Sequence, residues 1–178
     1  MLKSRLVVLV ALIAAPLLTV AVGAEAAGFT KSSVAGKYAF RLTGEKSFAA
    51  ESGTSGLDGA PRQDILRVGV FTSGGNGFLT GHTLATTDDN NGYTVSIDFT
   101  WKGNYTVNSD GTGTLTVYSV SLTSCTDDSG PITCDSSWEG PETYSIVLSA
   151  GTTTIDMVET DNNGGGAKIF LTGQARKQ

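Results

Sequence analysis

The segment Tyr93-Thr94-Val95-Ser96-Ile97-Asp98-Phe99-Thr100-Trp101 alternates apolar and polar residues without interruption. A period of two sends successive side chains to opposite faces of a strand, so Tyr93, Val95, Ile97, Phe99 and Trp101 share one face. The pattern runs on to Asn108, with a bend or turn allowed at Lys102-Gly103. On either side, runs rich in Val, Ile, Thr, Tyr and Phe are separated by Asp58-Gly59, Asn76-Gly77, Asn91-Gly92, Asp110-Gly111 and Asn163-Gly164. These dipeptides favour turns because both residues tolerate positive φ. The chain has 23 glycines in 178 residues, about twice the usual share, and they punctuate strands instead of forming a low-complexity tract.

Eight strands are predicted, over 36–43, 64–72, 77–85, 93–108, 112–122, 143–149, 154–160 and 167–174. In 112–122 the apolar parity moves from Leu115 and Val117 to Val120 and Leu122, which predicts a bulge near Tyr118. If the strands meander in order, the long connections 44–63, 86–92, 123–142 and 161–166 gather at one end. The tight turns 73–76, 109–111 and 150–153 gather at the other. This arrangement predicts an all-β fold, a single antiparallel up-and-down barrel of about eight strands, with a β-sandwich as the alternative.

The N-terminus reads as a secretory signal over 1–26: Lys3 and Arg5, an apolar run over 6–22 interrupted by Pro16, and the small-x-small site Ala24-Glu25-Ala26. The run is at the short limit for a bilayer span, so cleavage is expected, with no stable membrane anchor afterwards. The mature chain 27–178 is then one domain in the periplasm or secreted. Removing Lys3, Arg5 and Glu25 from 12 basic and 17 acidic residues leaves 10 against 16, a net charge of −6. A nucleic-acid partner needs a basic footprint and is not expected. In an exported chain Cys125 and Cys134 are most simply a disulfide, which stabilises by at most about 2.7 kcal/mol on a chain-entropy argument.

Gly36-x-Tyr38-x-Phe40, followed by Gly103-x-Tyr105-x-Val107-Asn108-x-Asp110-Gly111-x-Gly113, resembles small bacterial exported proteins with calycin-like, allene-oxide-cyclase-like barrels. The resemblance implies a barrel that takes a small hydrophobic ligand, and it carries no catalytic residue over to this chain.

No stretch has the setting of a catalytic motif. His82 is the sole imidazole; period two groups it with Phe78, Thr80 and Leu84, a parity that can face the interior, but a partly exposed strand histidine paired with a threonine or backbone carbonyl is favoured over a general base. The Gly75-Asn76-Gly77 spacing is followed by a strand, not a helix, so it is hairpin chemistry and not a dinucleotide site. Acidic residues gather in the long connections: Glu45, Glu51, Asp58, Asp88, Asp89, Asp127, Asp128, Asp135, Glu139, Glu142 and Asp161. None has EF-hand spacing, and solvated turns use the same residues, so neither a metal nor a cofactor is expected.

The expected ligand-lining residues are Tyr38, Phe40, Phe78, His82, Ile97, Phe99 and Trp101, with Trp138 at the mouth. The leading functional expectation is an exported barrel that binds a small apolar or amphipathic ligand. The alternatives are a cyclase- or isomerase-type enzyme with a preshaped cavity, and a structural or adhesive module with acidic loops. Enzymatic activity is the less favoured side of that choice.

Overall fold

A computed structural model describes residues 28–48, 62–88, 93–134, 140–160 and 167–178. The expected signal segment, Trp138 and the loop acids Glu51, Asp58, Asp89, Asp135, Glu139 and Asp161 lie outside the described residues. After a short 3₁₀ turn (Lys31–Val34) come β1 (Gly36–Phe48), β2 (Arg62–Ser73), β3 (Phe78–Asp88), β4 (Thr94–Val107) and β5 (Thr112–Asp127). A two-residue β6 (Gly130–Pro131), β7 (Glu142–Leu148), β8 (Thr154–Glu159) and β9 (Ala167–Lys177) complete the chain. Each long strand pairs antiparallel with the next, β5 passing over β6 to β7, and β9 returns to β1. The result is a closed barrel of eight strands with β6 as an extra piece. The sandwich alternative is excluded by this closure.

The strands run further towards the long-connection end than apolar patterning implies. β5 continues through Thr123-Ser124-Cys125-Thr126, and its backbone stays paired with β4 up to Ser96↔Thr126. Serine and threonine fit a pleated surface, so pairing to a neighbour carries the strand where hydrophobicity does not. Lys102 faces Ser119 while Gly103 faces Val117, which leaves Tyr118 as the extra residue of the expected bulge. A second bulge leaves Thr123 unmatched between Leu122 and Ser124. Two parity changes bring Val117, Val120 and Cys125 to the same side, opposite Gly103, Trp101 and Ile97.

Aromatic rings fill the half of the barrel nearest the tight turns. Tyr38 lies opposite Phe71 in the β1–β2 register, and their rings stack with centroids 4.9 Å apart. Phe40 meets Trp101 edge-on at 6.3 Å, the offset geometry that ring quadrupoles favour. Gly81 makes this possible: a Cβ there would overlap the Trp101 indole.

The N-terminal segment closes the same end from below. Phe29 donates its backbone N–H to the Ser109 carbonyl at 3.0 Å, and Val34 is buried. Tyr105 donates its hydroxyl to the Lys31 carbonyl at 2.9 Å and lies 2.9 Å from Ser73 Oγ. At the opposite end the Cys125–Cys134 disulfide joins the end of β5 to the segment after β6, with Cα atoms 5.8 Å apart. Among the described residues no helix is long and apolar enough to cross a membrane.

The Tyr105 hydroxyl ties the barrel to the N-terminal segment, so its removal leaves the Lys31 carbonyl without this donor and Ser73 Oγ with only the Gly75 N–H. Tyr105→Phe is expected to lower the unfolding free energy by about 1–3 kcal/mol, read as a lower urea midpoint at unchanged slope.

Candidate functional site

The inner face of the other half is not uniformly apolar. β2 carries Arg67 on the parity of Ile65 and Phe71, and β7 carries Glu142 on the parity of Tyr144, Ile146 and Leu148. Alternation therefore delivers a guanidinium and a carboxylate to the barrel interior. They meet as a two-point ion pair: Arg67 Nη1 donates to Glu142 Oε2 at 2.6 Å and Nη2 to Oε1 at 3.1 Å. Tyr144 completes the corner, accepting from Arg67 Nη1 at 3.2 Å and donating to Glu142 Oε2 at 2.9 Å. Glu159, on the inward parity of β8, is also buried. Arg67 Nε is buried without a hydrogen-bond partner among the described residues.

The electrostatics follow from this packing. Burial works against the Arg67 charge, but the carboxylate of Glu142, with Tyr144 and Glu159, more than offsets it and holds the guanidinium firmly protonated. Burial pushes the Tyr144 hydroxyl well above the ordinary tyrosine range; Arg67 opposes the rise, and Glu142 and Glu159 add to it. An ion pair in this setting fixes geometry more than it stabilises, because desolvation consumes much of the Coulombic gain.

Beside this corner lies a cavity lined mainly by Phe40, Phe71, Phe99, Trp101, Val117 and Met157 on its apolar side, and by Arg67, Glu142, Tyr144 and Thr83 on its polar side. Its unfilled volume is about 370 Å³ counting its opening, but only about 30 Å³ can hold the centre of a water molecule. It is thus a narrow slot, with free space for roughly one to three water-sized groups. Trp101 Nε1 donates to Thr83 Oγ1 at 2.9 Å, which leaves the Thr83 hydroxyl proton directed elsewhere.

Of the residues expected to line a site, Phe40, Phe99 and Trp101 border this slot. Tyr38 lies in the packed aromatic layer, and Ile97 sits on the inner face opposite Ala85 and Cys125. Phe78 and His82 do not face the interior: Phe78 is 59% exposed, and His82 pairs with Asp98 at 2.7 Å on the outer surface. The reason lies in β3, where Leu79, Gly81, Thr83 and Ala85 take the inner face. Phe78 and Leu84 make the opposite parity look more apolar than it is. Glu142, expected among the loop acids, is instead part of β7 and points inward.

Arg67, Thr83, Tyr144 and Glu159 were not among the expected site residues. Their signal was present in part: Glu142-x-Tyr144-x-Ile146-x-Leu148 and Ile155-x-Met157-x-Glu159 each place a carboxylate at the end of an apolar parity. Among the described residues no group of three or more His, Cys, Asp and Glu side chains is placed to hold a metal ion. Compared with known protein families, curated proteins and solved structures, the chain matches none.

Two outcomes test the site's construction. Gly81→Ala is expected to displace the Trp101 ring and cost about 1–3 kcal/mol through overpacking, seen as a lower melting temperature together with altered near-ultraviolet circular dichroism. A phenol with a raised folded-state pKa contributes stability below the unfolded value near 10 and loses it as pH rises, because only the unfolded chain then ionises. The stability advantage of the wild type over Tyr144→Phe is therefore expected to narrow above about pH 10, measured by urea unfolding across that range.

Proposed function

We propose that the barrel binds a small, slim, mostly apolar molecule in its interior slot and acts outside the cytoplasm. One observation carries the reading: a closed barrel leaves unfilled space where aromatic and aliphatic side chains face a fixed polar corner of Arg67, Glu142 and Tyr144. Binding sites combine an apolar wall with a few oriented polar groups in this way, the polar groups setting orientation. The extracytoplasmic setting is supported by the Cys125–Cys134 disulfide and by the apolar run behind Lys3 and Arg5.

A cyclase- or isomerase-type activity, in line with the allene-oxide-cyclase-like resemblance, is the second reading. It is favoured by one feature, a carboxylate buried at the slot, Glu142. Both oxygens of that carboxylate accept from Arg67, and Oε2 also accepts from Tyr144. Such a group suits holding an electrostatic environment better than taking a proton, so binding is preferred over turnover.

The test uses cumene as a flat apolar probe, titrated into the mature chain and followed by ¹H–¹⁵N NMR. Saturable shifts at the Trp101 indole N–H and at Val117 are expected, and Val117→Phe, which narrows the slot, should weaken them about 10-fold or more. Absence of saturable shifts, or shifts indifferent to Val117→Phe in a folded variant, would overturn the reading.

A further inference from the structure

We propose that the molecule taken up by this slot is uncharged and is oriented by a hydrogen-bond-accepting oxygen, of the carbonyl or ether type. The inference rests on the binding reading above and adds the polarity of the ligand to it. It follows from which hydrogen-bonding capacity of the polar corner is already used.

Each side-chain oxygen lining the slot already accepts at least one hydrogen bond. Both Glu142 oxygens take hydrogen bonds from Arg67, and Oε2 takes a second from Tyr144. Tyr144 Oη donates its one proton to that carboxylate and accepts from Arg67. Thr83 Oγ1 accepts from the Trp101 indole. The group left without any hydrogen bond is a donor, the Arg67 Nε–H, buried without a partner among the described residues, and the Thr83 hydroxyl proton is not used by the Trp101 contact. Burying a donor without an acceptor costs about 1–3 kcal/mol, so an occupant that brings an oxygen lone pair relieves a cost that a hydrocarbon leaves in place. A ligand that brings only donors meets oxygens that each already accept a hydrogen bond, and leaves the Arg67 Nε–H unmatched.

Charge selects further. The Arg67 charge is already matched at short range by Glu142, and Glu159 adds a further acidic group close enough to act on Arg67. A carboxylate ligand would therefore enter an apolar slot beside acidic groups, with no surplus cation to meet it. A cation would find the Glu142 carboxylate already engaged by Arg67, and Glu159 does not border the slot. The narrowness of the slot sets the shape, with the oxygen carried on a flat or thin skeleton.

Three near-isosteric probes separate these alternatives: acetophenone, cumene and benzoate, titrated into the same mature chain by NMR. Acetophenone is expected to bind at least as tightly as cumene although water solvates it better, and benzoate at least 10-fold more weakly than acetophenone. Thr83→Val should weaken acetophenone about 3- to 10-fold and leave cumene unchanged, the span expected for one hydrogen bond. Should that variant not fold, the Arg67 Nε–H resonance of the wild type gives the same answer, shifting with acetophenone and not with cumene. Tighter binding of benzoate, or an equal response of both neutral probes to Thr83→Val, would overturn the inference while leaving the binding reading intact. Failure of all three probes to bind, as for a slot that holds only water, would overturn both.

Discussion

The return of β9 to β1 is the constraint on which the rest depends. Every other pairing of the barrel joins strands that are neighbours in the chain, passing over only the two-residue β6, whereas this one joins its two ends. It also brings the two backbones close, as at other glycines of the barrel. A Cβ at Gly44 would overlap the Phe170 carbonyl, and one at Gly173 would overlap the Arg41 carbonyl, so the seam needs glycine on both strands. Once it forms, no long strand is left with an open edge, and each inward parity is committed to a shared interior.

That interior is divided along its axis. Towards the tight turns, Tyr38, Phe71 and Tyr105 pack with Val34 of the N-terminal segment into a filled core. Towards the long connections, the inward parities of β2, β7 and β8 carry Arg67, Glu142 and Glu159. A guanidinium and its carboxylate need planar, hydrogen-bonded neighbours and cannot collapse as alkyl side chains do, so packing around them leaves a slot. The filled half supplies rigidity, and the polar half supplies a fixed set of donors on which a guest can be oriented.

Much of the architecture was legible residue by residue. The alternation from Val95 to Trp101 identified β4 and its inner face, and the parity change around Tyr118 marked the bulge at its place. The alternating long and short connections implied the barrel, and Cys125 and Cys134 implied their pairing. The candidate site was less legible. In β3 both parities carry apolar residues, so Phe78 and Leu84 argued for the face that turned out to be solvent-exposed. In β2, Val68 and Val70 masked the inward set to which Arg67 belongs. A lone arginine in such a run reads as exposed, because the price of burying it is prohibitive until a partner is known.

The sequence by itself determined what local chemistry can encode: strand periodicity, turn positions, a glycine supply for close approaches, and a cysteine pair at short separation. Those properties depend on a residue and its near neighbours along the chain. Only the tertiary structure decided that Arg67 and Glu142, far apart in sequence, meet inside the barrel at 2.6 Å, that His82 lies outside it, and that Arg67 and Thr83 border one narrow cavity. These depend on the register of strands that share no local sequence, and register is set by closure and bulges acting together.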